Sequence, residues 1–261
     1  MLRHPALCNL FALMLGALCV LAFAPFGLPL MAIACAALLF SWWLEAPRAR
    51  DAAQTGFAFG LGLFGCGASW VYIALETFGG MPAIVAVAGT ALFVAWLALW
   101  PALAGWAAVR ATQPGTLARA AAMAATWVLC EWLRGIVFTG FPWLTLGSSQ
   151  LPGSTLAGFA PIGGTLLVSL AVACCAALAA LAIDAMSRAA HARALRAAAV
   201  IAVFFGVGAL LWRIDYTEAA GAPVAVSLIQ GNVSQHAKFD PEYRDHIFQM
   251  YALLAEQSRG R

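Results

Sequence analysis

Charged residues are scarce in this sequence: Asp, Glu, Lys and Arg make up 10% of its 261 residues, against about 25% in soluble domains. Lysine is almost absent, with Lys238 as its single representative. A net charge of +3 that is scattered along the chain argues against nucleic-acid binding. Because 64% of the residues are hydrophobic, the sequence instead predicts a polytopic membrane protein.

Paired cysteine motifs are also lacking. None of the seven cysteines has CxxC spacing, and each lies in an apolar run, where cysteine behaves as a small hydrophobic residue. We therefore expect no metal site, no cofactor and no disulfide from Cys8, Cys19, Cys35, Cys66, Cys130, Cys174 and Cys175.

What the sequence does have is apolar runs, most of them close to the ~20 residues that cross a bilayer. Lipid offers no partner for backbone N–H and C=O groups, so these runs are predicted to be helical. Gly56 and Gly60 have GxxxG spacing, which predicts close helix packing. The sequence thus predicts a mainly α fold, a bundle of about seven transmembrane helices over residues 7–24, 28–44, 56–75, 83–109, 117–133, 156–183 and 197–212.

The arginines predict the orientation of these helices. The loops on one side of the bundle contain a single positively charged residue, Arg134. Because cytoplasmic loops are enriched in Lys and Arg, we expect a cytoplasmic N-terminus and place everything after residue 212 on the opposite side. The loops assigned to the cytoplasm hold Arg3, Arg48, Arg50, Arg110, Arg119, Arg188, Arg193 and Arg196.

After residue 212 the pattern changes to that of a soluble domain. Residues 224–229 are predicted to form a β-strand, and Gln230, Gly231 and Asn232 a turn. Asp240 and Pro241 are suited to start a helix. We expect two domains, the bundle over residues 1–213 and the incomplete start of a soluble domain over 214–261, with an amphipathic helix that buries Tyr243, Ile247, Met250, Tyr251 and Leu254.

The segment EWLRGIVFTGFPWL, residues 131–144, is the most unusual stretch at membrane level. Glu131 and Arg134 are three residues apart and can pair on one helix face. An ion pair at a membrane boundary points to function. The Gly140-Phe141-Pro142 sequence is predicted to end the helix. From these residues alone, an aromatic interfacial anchor and a lipid-binding surface are equally consistent interpretations.

This segment resembles the corresponding loop of the apolipoprotein N-acyltransferases. Three further stretches resemble the same family in the same order: LAFAP at residues 21–25, GFAFGLGLFGCGASWVYIALETFGGMP at 56–82, and SLIQGNVSQHAKFD at 227–240. The last resembles the opening of the family's nitrilase-like domain. It departs from the family at Phe239, where a tryptophan is usual.

The resemblance implies a helical bundle in the bacterial inner membrane that carries a periplasmic α/β nitrilase-like sandwich domain. A Glu–Lys–Cys triad in that domain takes an acyl chain from a membrane phospholipid as a cysteine thioester. It then passes the chain to the N-terminal diacylglyceryl-cysteine of an apolipoprotein. Dividing one difficult transfer into two easier ones is the purpose of such covalent catalysis.

No triad residue can be carried over to this sequence, which contains no Trp-Pro-Glu and no cysteine after Asn232. We therefore expect an N-terminal fragment that is inactive alone, with the catalytic residues beyond its C-terminus. The residues predicted to handle lipid or substrate are Arg134, Phe141, Pro142, Trp143, Gln230, Gly231, Asn232, Lys238 and Phe239.

Two alternatives stay open on the sequence. One is a non-catalytic membrane paralogue that binds lipid or lipoprotein. The other is a small-molecule transporter, although ion-coupled transporters usually carry ionisable groups near the bilayer centre and this sequence has none there.

Overall fold

A computed structural model describes residues 5–238 and 240–258 of the chain. The chain divides into two compact units, Met1–Tyr216 and Thr217–Arg261. The helices of the first unit are α1 (Pro5–Cys19), α2 (Leu30–Glu45), α3 (Ala49–Gly67), α4 (Val71–Ile73, continued by a π-helical turn Ala74–Phe78), α5 (Ala83–Ala111), α6 (Leu117–Arg134), α7 (Ala160–Ser187) and α8 (His191–Leu211).

Each of the seven apolar runs is helical over most of its length. Three helical stretches are long and apolar enough to cross a membrane by themselves, namely Ala83–Ala111, Thr155–Ser187 and His191–Leu211. A fourth is the pair Ala49–Gly67 and Val71–Phe78 if the two count as one span bent by 57°. The predicted mainly helical membrane fold is confirmed at this level.

The bundle is built around α3, whose most extensive contacts are with α1 and α5. Small residues allow these helices to approach closely. A Cβ atom built on Gly60 would lie 2.6 Å from the Cα of Ala98, and one on Gly56 would lie 2.6 Å from the carbonyl oxygen of Pro101. The close packing predicted from the GxxxG spacing is confirmed, because any side chain here would force α3 and α5 apart.

Arg119 joins the ends of two helices at one side of the bundle. Its side chain is buried. Its guanidinium donates hydrogen bonds to carbonyl oxygens in, or directly after, the last turns of α2 and α5. Carbonyls at helix C-termini lack intrahelical hydrogen-bond donors and carry partial negative charge. A guanidinium supplies both the missing donors and a compensating positive charge. The acceptors are the carbonyl oxygens of Trp43, Leu44, Ala46, Val109 and Thr112.

The second unit contains the short helix α9 (Gln235–Lys238), a 3-10 turn (Pro241–Tyr243) and α10 (Arg244–Ser258). The predicted helix start is confirmed, because the side chain of Asp240 accepts a hydrogen bond of 3.0 Å from the backbone N–H of Glu242. The half-buried residues of α10 share one face: Ile247, Met250, Leu254 and Ser258. The spacing also predicts Tyr243 and Tyr251 on this face, but both side chains are exposed.

The prediction of a β-strand over residues 224–229 is wrong. No strand occurs in the described residues, and Leu228 in this run is 95% exposed. A strand needs hydrogen-bond partners on a neighbouring strand, and β-prone composition alone does not supply them. The turn predicted at Gln230, Gly231 and Asn232 is not found either, although Asn232 lies in the left-handed region at φ 48°.

Candidate functional site

The chain reverses direction directly after α6. The C-cap Gly135 bonds back to the last turn of α6, and Phe138, Thr139 and Gly140 then adopt positive φ angles of 51°, 70° and 81°. A Cβ at position 140 would collide with the carbonyl oxygen of Gly135, so glycine is required there. α6 ends at Arg134, six residues before Gly140, so the helix end predicted at Gly140-Phe141-Pro142 is placed too late. We call residues 135–146 the return loop.

Arg134 is buried beneath the return loop and organises its backbone. Its Nη1 donates hydrogen bonds to the carbonyl oxygens of Phe141, at 2.7 Å, and Trp143, at 2.6 Å. The N–H of Phe141 in turn bonds to the carbonyl oxygen of Arg134 at 2.8 Å. The guanidinium carbon lies 5.1 Å from the ring centre of Phe64 on α3, within the range of a cation–π contact.

Glu131 holds the far end of the same loop. Its Oε1 accepts a hydrogen bond of 2.8 Å from the backbone N–H of Leu146 and one of 2.9 Å from the indole Nε1 of Trp127. In the first unit, Arg188 forms ion pairs with Glu45 and Asp184, whereas no ion pair joins the described side chains of Glu131 and Arg134. Glu131 and Arg134 therefore do not form the close ion pair that their spacing allowed. Each instead anchors a different part of the loop backbone.

The outer side of the loop is an aromatic surface built by three segments. Phe138, Phe141 and Trp143 come from the loop, and their neighbours come from α5 and from the turn between α3 and α4. Ring centres lie 4.9 Å apart for Phe93 and Phe141, 5.2 Å for Trp96 and Phe138, and 5.7 Å for Trp70 and Trp143. We define the aromatic surface by Trp70, Phe93, Trp96, Phe138, Phe141 and Trp143.

This apolar surface is partly accessible, because three of its rings are exposed and three, Phe93, Trp96 and Phe141, are half-buried. Phe138 is 80% exposed and Trp143 is 47% exposed, and Pro142 between the other loop aromatics is exposed as well. The indole Nε1 of Trp143 donates a 3.1 Å hydrogen bond to the carbonyl of Gly67 at the end of α3. An amphipathic ring whose polar atom is already satisfied is suited to the boundary between hydrocarbon and headgroups.

The structure thus groups three of the predicted residues on one face, where Pro142 and Trp143 are exposed and Phe141 is half-buried, whereas Arg134 lies beneath it. Sequence reasoning did not assign Trp70, Phe93, Trp96 or Phe138 to the site. Trp70 lies in the stretch 56–82, which resembles the family, but only the folded chain brings it next to Trp143. Aromatic residues in apolar helices give no signal that separates a shared surface from ordinary packing.

The other predicted residues belong to the second unit. Gln230, Asn232 and Lys238 are exposed, and Gly231 faces α10, where a Cβ built on it would lie 2.6 Å from the methyl carbon of Met250. Phe239 lies outside the described residues. For the described part of the chain, no group of three or more His, Cys, Asp and Glu side chains is arranged to hold a metal ion.

Comparison with known proteins identifies related sequences. The family model for the apolipoprotein N-acyltransferase N-terminal domain matches residues 15–178. Proteins named apolipoprotein N-acyltransferase are 42% identical over 250 residues in Nitrosomonas europaea, 43% over 249 residues in Methylococcus capsulatus, and 37% over 262 residues in Vibrio cholerae. These alignments cover 95–98% of this chain and 48–50% of the relatives. The chain therefore spans about half the length of the curated relatives it matches.

Proposed function

Because the chain belongs to the apolipoprotein N-acyltransferase family, we propose that the protein acts in the phospholipid-dependent N-acylation of apolipoproteins. The acyl donor is a membrane phospholipid, and the acceptor is the N-terminal diacylglyceryl-cysteine of an apolipoprotein. The match of the N-terminal domain over residues 15–178 is the observation that carries this proposal. The transporter alternative has no such support, since the relatives compared above carry acyltransferase names.

The proposal places the protein in the inner membrane of a bacterium with seven membrane-crossing helices and a cytoplasmic N-terminus. The three long apolar helices and the bent pair support membrane insertion. Three more crossings are needed to reach seven. In this proposal they are α6 and the two shorter apolar helices, Ala6–Ala22 and Leu30–Glu45. The uneven distribution of arginine between the two sets of loops supports the orientation.

In this proposal residues 1–213 form the membrane domain and residues 214–261 the periplasmic start of a nitrilase-like domain. The chemistry of acyl transfer requires the Glu, Lys and Cys of the family's triad. We assign none of these roles to the residues of this chain, because it has no Trp-Pro-Glu and no cysteine after Asn232.

The contribution of this chain to the reaction is the handling of lipid at the aromatic surface. An acyl chain packs favourably against exposed rings at membrane level, and each ring buries a large apolar area. Arg134 and Glu131 support this role from below by fixing the loop backbone, so the rings are held in place before lipid arrives. In the second unit, Gln230, Gly231, Asn232, Lys238 and Phe239 are proposed to contact substrate at the base of the nitrilase-like domain.

The test of the proposed function is to deplete the gene that encodes this chain and to analyse the lipoproteins of the same cells by mass spectrometry. Loss of the gene product is expected to leave lipoproteins with a free α-amine on the diacylglyceryl-cysteine. Re-expression of the whole gene, including the region that encodes the triad, is expected to restore the third acyl chain. Lipoproteins that remain fully N-acylated after complete depletion, in cells without a second copy of the gene, would show that the function is another one.

A further inference from the structure

A small cavity lies inside the bundle beneath the return loop, between α3, α5 and α6. Its lining includes Phe64, Trp100, Ala104, Glu131 and Arg134. The cavity has a volume of about 10 Å³. That is close to the space required by one water molecule and too small for a lipid, a peptide or a cofactor.

Two polar atoms of this lining make no well-formed hydrogen bond to a described protein group: Nε1 of Trp100 and Oε2 of Glu131. The hydroxyl of Ser169, which accepts from the N–H of Gly147, also lies near the Glu131 carboxylate. Both side chains are deeply buried, with 8% of Trp100 and 6% of Glu131 exposed. The other carboxylate oxygen, Oε1, already accepts from Trp127 and Leu146. A buried polar atom without a partner is costly, and native proteins satisfy nearly all such atoms with protein groups or ordered water.

The two atoms are chemically complementary. The indole Nε1–H of Trp100 is only a donor, and a carboxylate oxygen of Glu131 is an acceptor. A water molecule offers both functions, since its oxygen accepts from the indole while one of its hydrogens donates to the carboxylate. A cavity of this size with at least two polar partners meets the conditions under which interior water is stably bound.

We propose that this cavity is a binding site for a single structural water that bridges Nε1 of Trp100 and Oε2 of Glu131. The water connects α5 to α6 at the position where Pro101 follows Trp100 in the middle of α5. Through Oε1 of the same carboxylate, the connection continues to Leu146 in the return loop. The cavity thereby becomes part of the hydrogen-bonded support of the loop.

The direct test is an experimental structure of the chain in lipid nanodiscs at a resolution where other interior waters are visible. The expected result is one density peak within about 2.6–3.2 Å of both Nε1 of Trp100 and Oε2 of Glu131. A cavity without density at that resolution would overturn the proposal. So would a rotated Glu131 whose Oε2 bonds to a protein group.

A second test removes only the indole donor. Replacing Trp100 with benzothienylalanine keeps the shape of the ring system but has sulfur in place of N–H. Loss of the bridge is expected to lower the midpoint of thermal unfolding by about 2–4 °C. The matched control is the same replacement at Trp96, which is one turn earlier on α5 and does not line this cavity.

A hydrated cavity and a dry cavity predict different changes in the unfolding midpoint when the indole N–H is removed. If the site were dry, the indole N–H would be an unsatisfied buried donor, and its removal would leave the midpoint unchanged or raise it. An unchanged or raised midpoint at position 100 therefore contradicts the proposal. A decrease at position 100 that exceeds the one at position 96 supports it.

Discussion

The backbone N–H of Leu146 donates a 2.8 Å hydrogen bond to Oε1 of Glu131, which lies fifteen residues earlier in the chain. This bond closes the return loop onto the helix from which it departs. Together with the bonds from Arg134 to Phe141 and Trp143, it converts an irregular segment into a fixed support for exposed aromatic rings. The proposed lipid-handling role depends on this support.

Replacing Glu131 with alanine is expected to destabilise the protein, because the indole of Trp127 and the amide of Leu146 would lose their acceptor while buried. Each such donor costs about 1–3 kcal/mol. Glu131→Gln keeps a carbonyl oxygen and is expected to lose less. The midpoint of thermal unfolding in detergent measures the effect, with the exposed Glu256→Ala as control. Equal midpoints for Glu131→Ala and Glu256→Ala would contradict this interpretation.

Replacing Arg134 with methionine preserves most of the side-chain volume but removes the donor to the carbonyls of Phe141 and Trp143. We expect faster hydrogen–deuterium exchange across residues 138–146, because the loop backbone loses its anchor. The exposed Arg193→Met serves as control and should leave this segment unchanged. Exchange in the loop that is as slow as in the unmodified protein would show that Arg134 does not hold it.

Arg119 is expected to be the least replaceable arginine of the bundle. Arg119→Lys keeps the positive charge but loses the planar fork that reaches two helix ends at once. The expected loss is at least about 2 kcal/mol of unfolding free energy, since several buried carbonyls lose a donor. Arg110→Lys, at an exposed position in the last turn of α5, is the control and should be nearly neutral.

Two glycines of α3 give opposite predictions for the same substitution. Gly60→Ala places a methyl group 2.6 Å from the Cα of Ala98, so α3 and α5 must separate, at a cost of about 1–3 kcal/mol. Gly65→Ala meets nothing within 4 Å and is expected to stabilise α3 by up to about 1 kcal/mol. Unfolding midpoints that shift in the same direction for both variants would contradict the packing described here.

Much of the membrane unit could be predicted from the sequence because its signals are local. Long apolar runs must be helical in lipid, and the GxxxG spacing places small residues on one helix face. In the second unit, Asp240 and Pro241 mark a helix start for similarly local reasons. The strand over residues 224–229 failed because strand formation depends on a partner, which composition does not reveal.

The polar contacts could not be predicted, since their partners are backbone atoms that are distant in sequence. Arg119 reads as one more positive charge in a cytoplasmic loop, yet it is buried and bonded to carbonyls more than seventy residues away at Leu44 and Ala46. Glu131 and Arg134 read as a pair because spacing indicates which side chains share a helix face. Spacing does not indicate that a loop will fold back over that face and bind each of them separately.

The most direct test of the central claim, that the return loop presents a lipid-binding surface, is photo-crosslinking with a phospholipid that carries a diazirine in its acyl chain. In proteoliposomes of the unmodified chain, we expect labelled peptides to be enriched at residues 137–143 and around Trp70. The enrichment should fall several-fold in Trp143→Ala and persist in Trp106→Ala, a control of matched 46% exposure outside the aromatic surface. Labelling spread evenly over all exposed apolar helix faces, and unaffected by Trp143→Ala, would contradict the account.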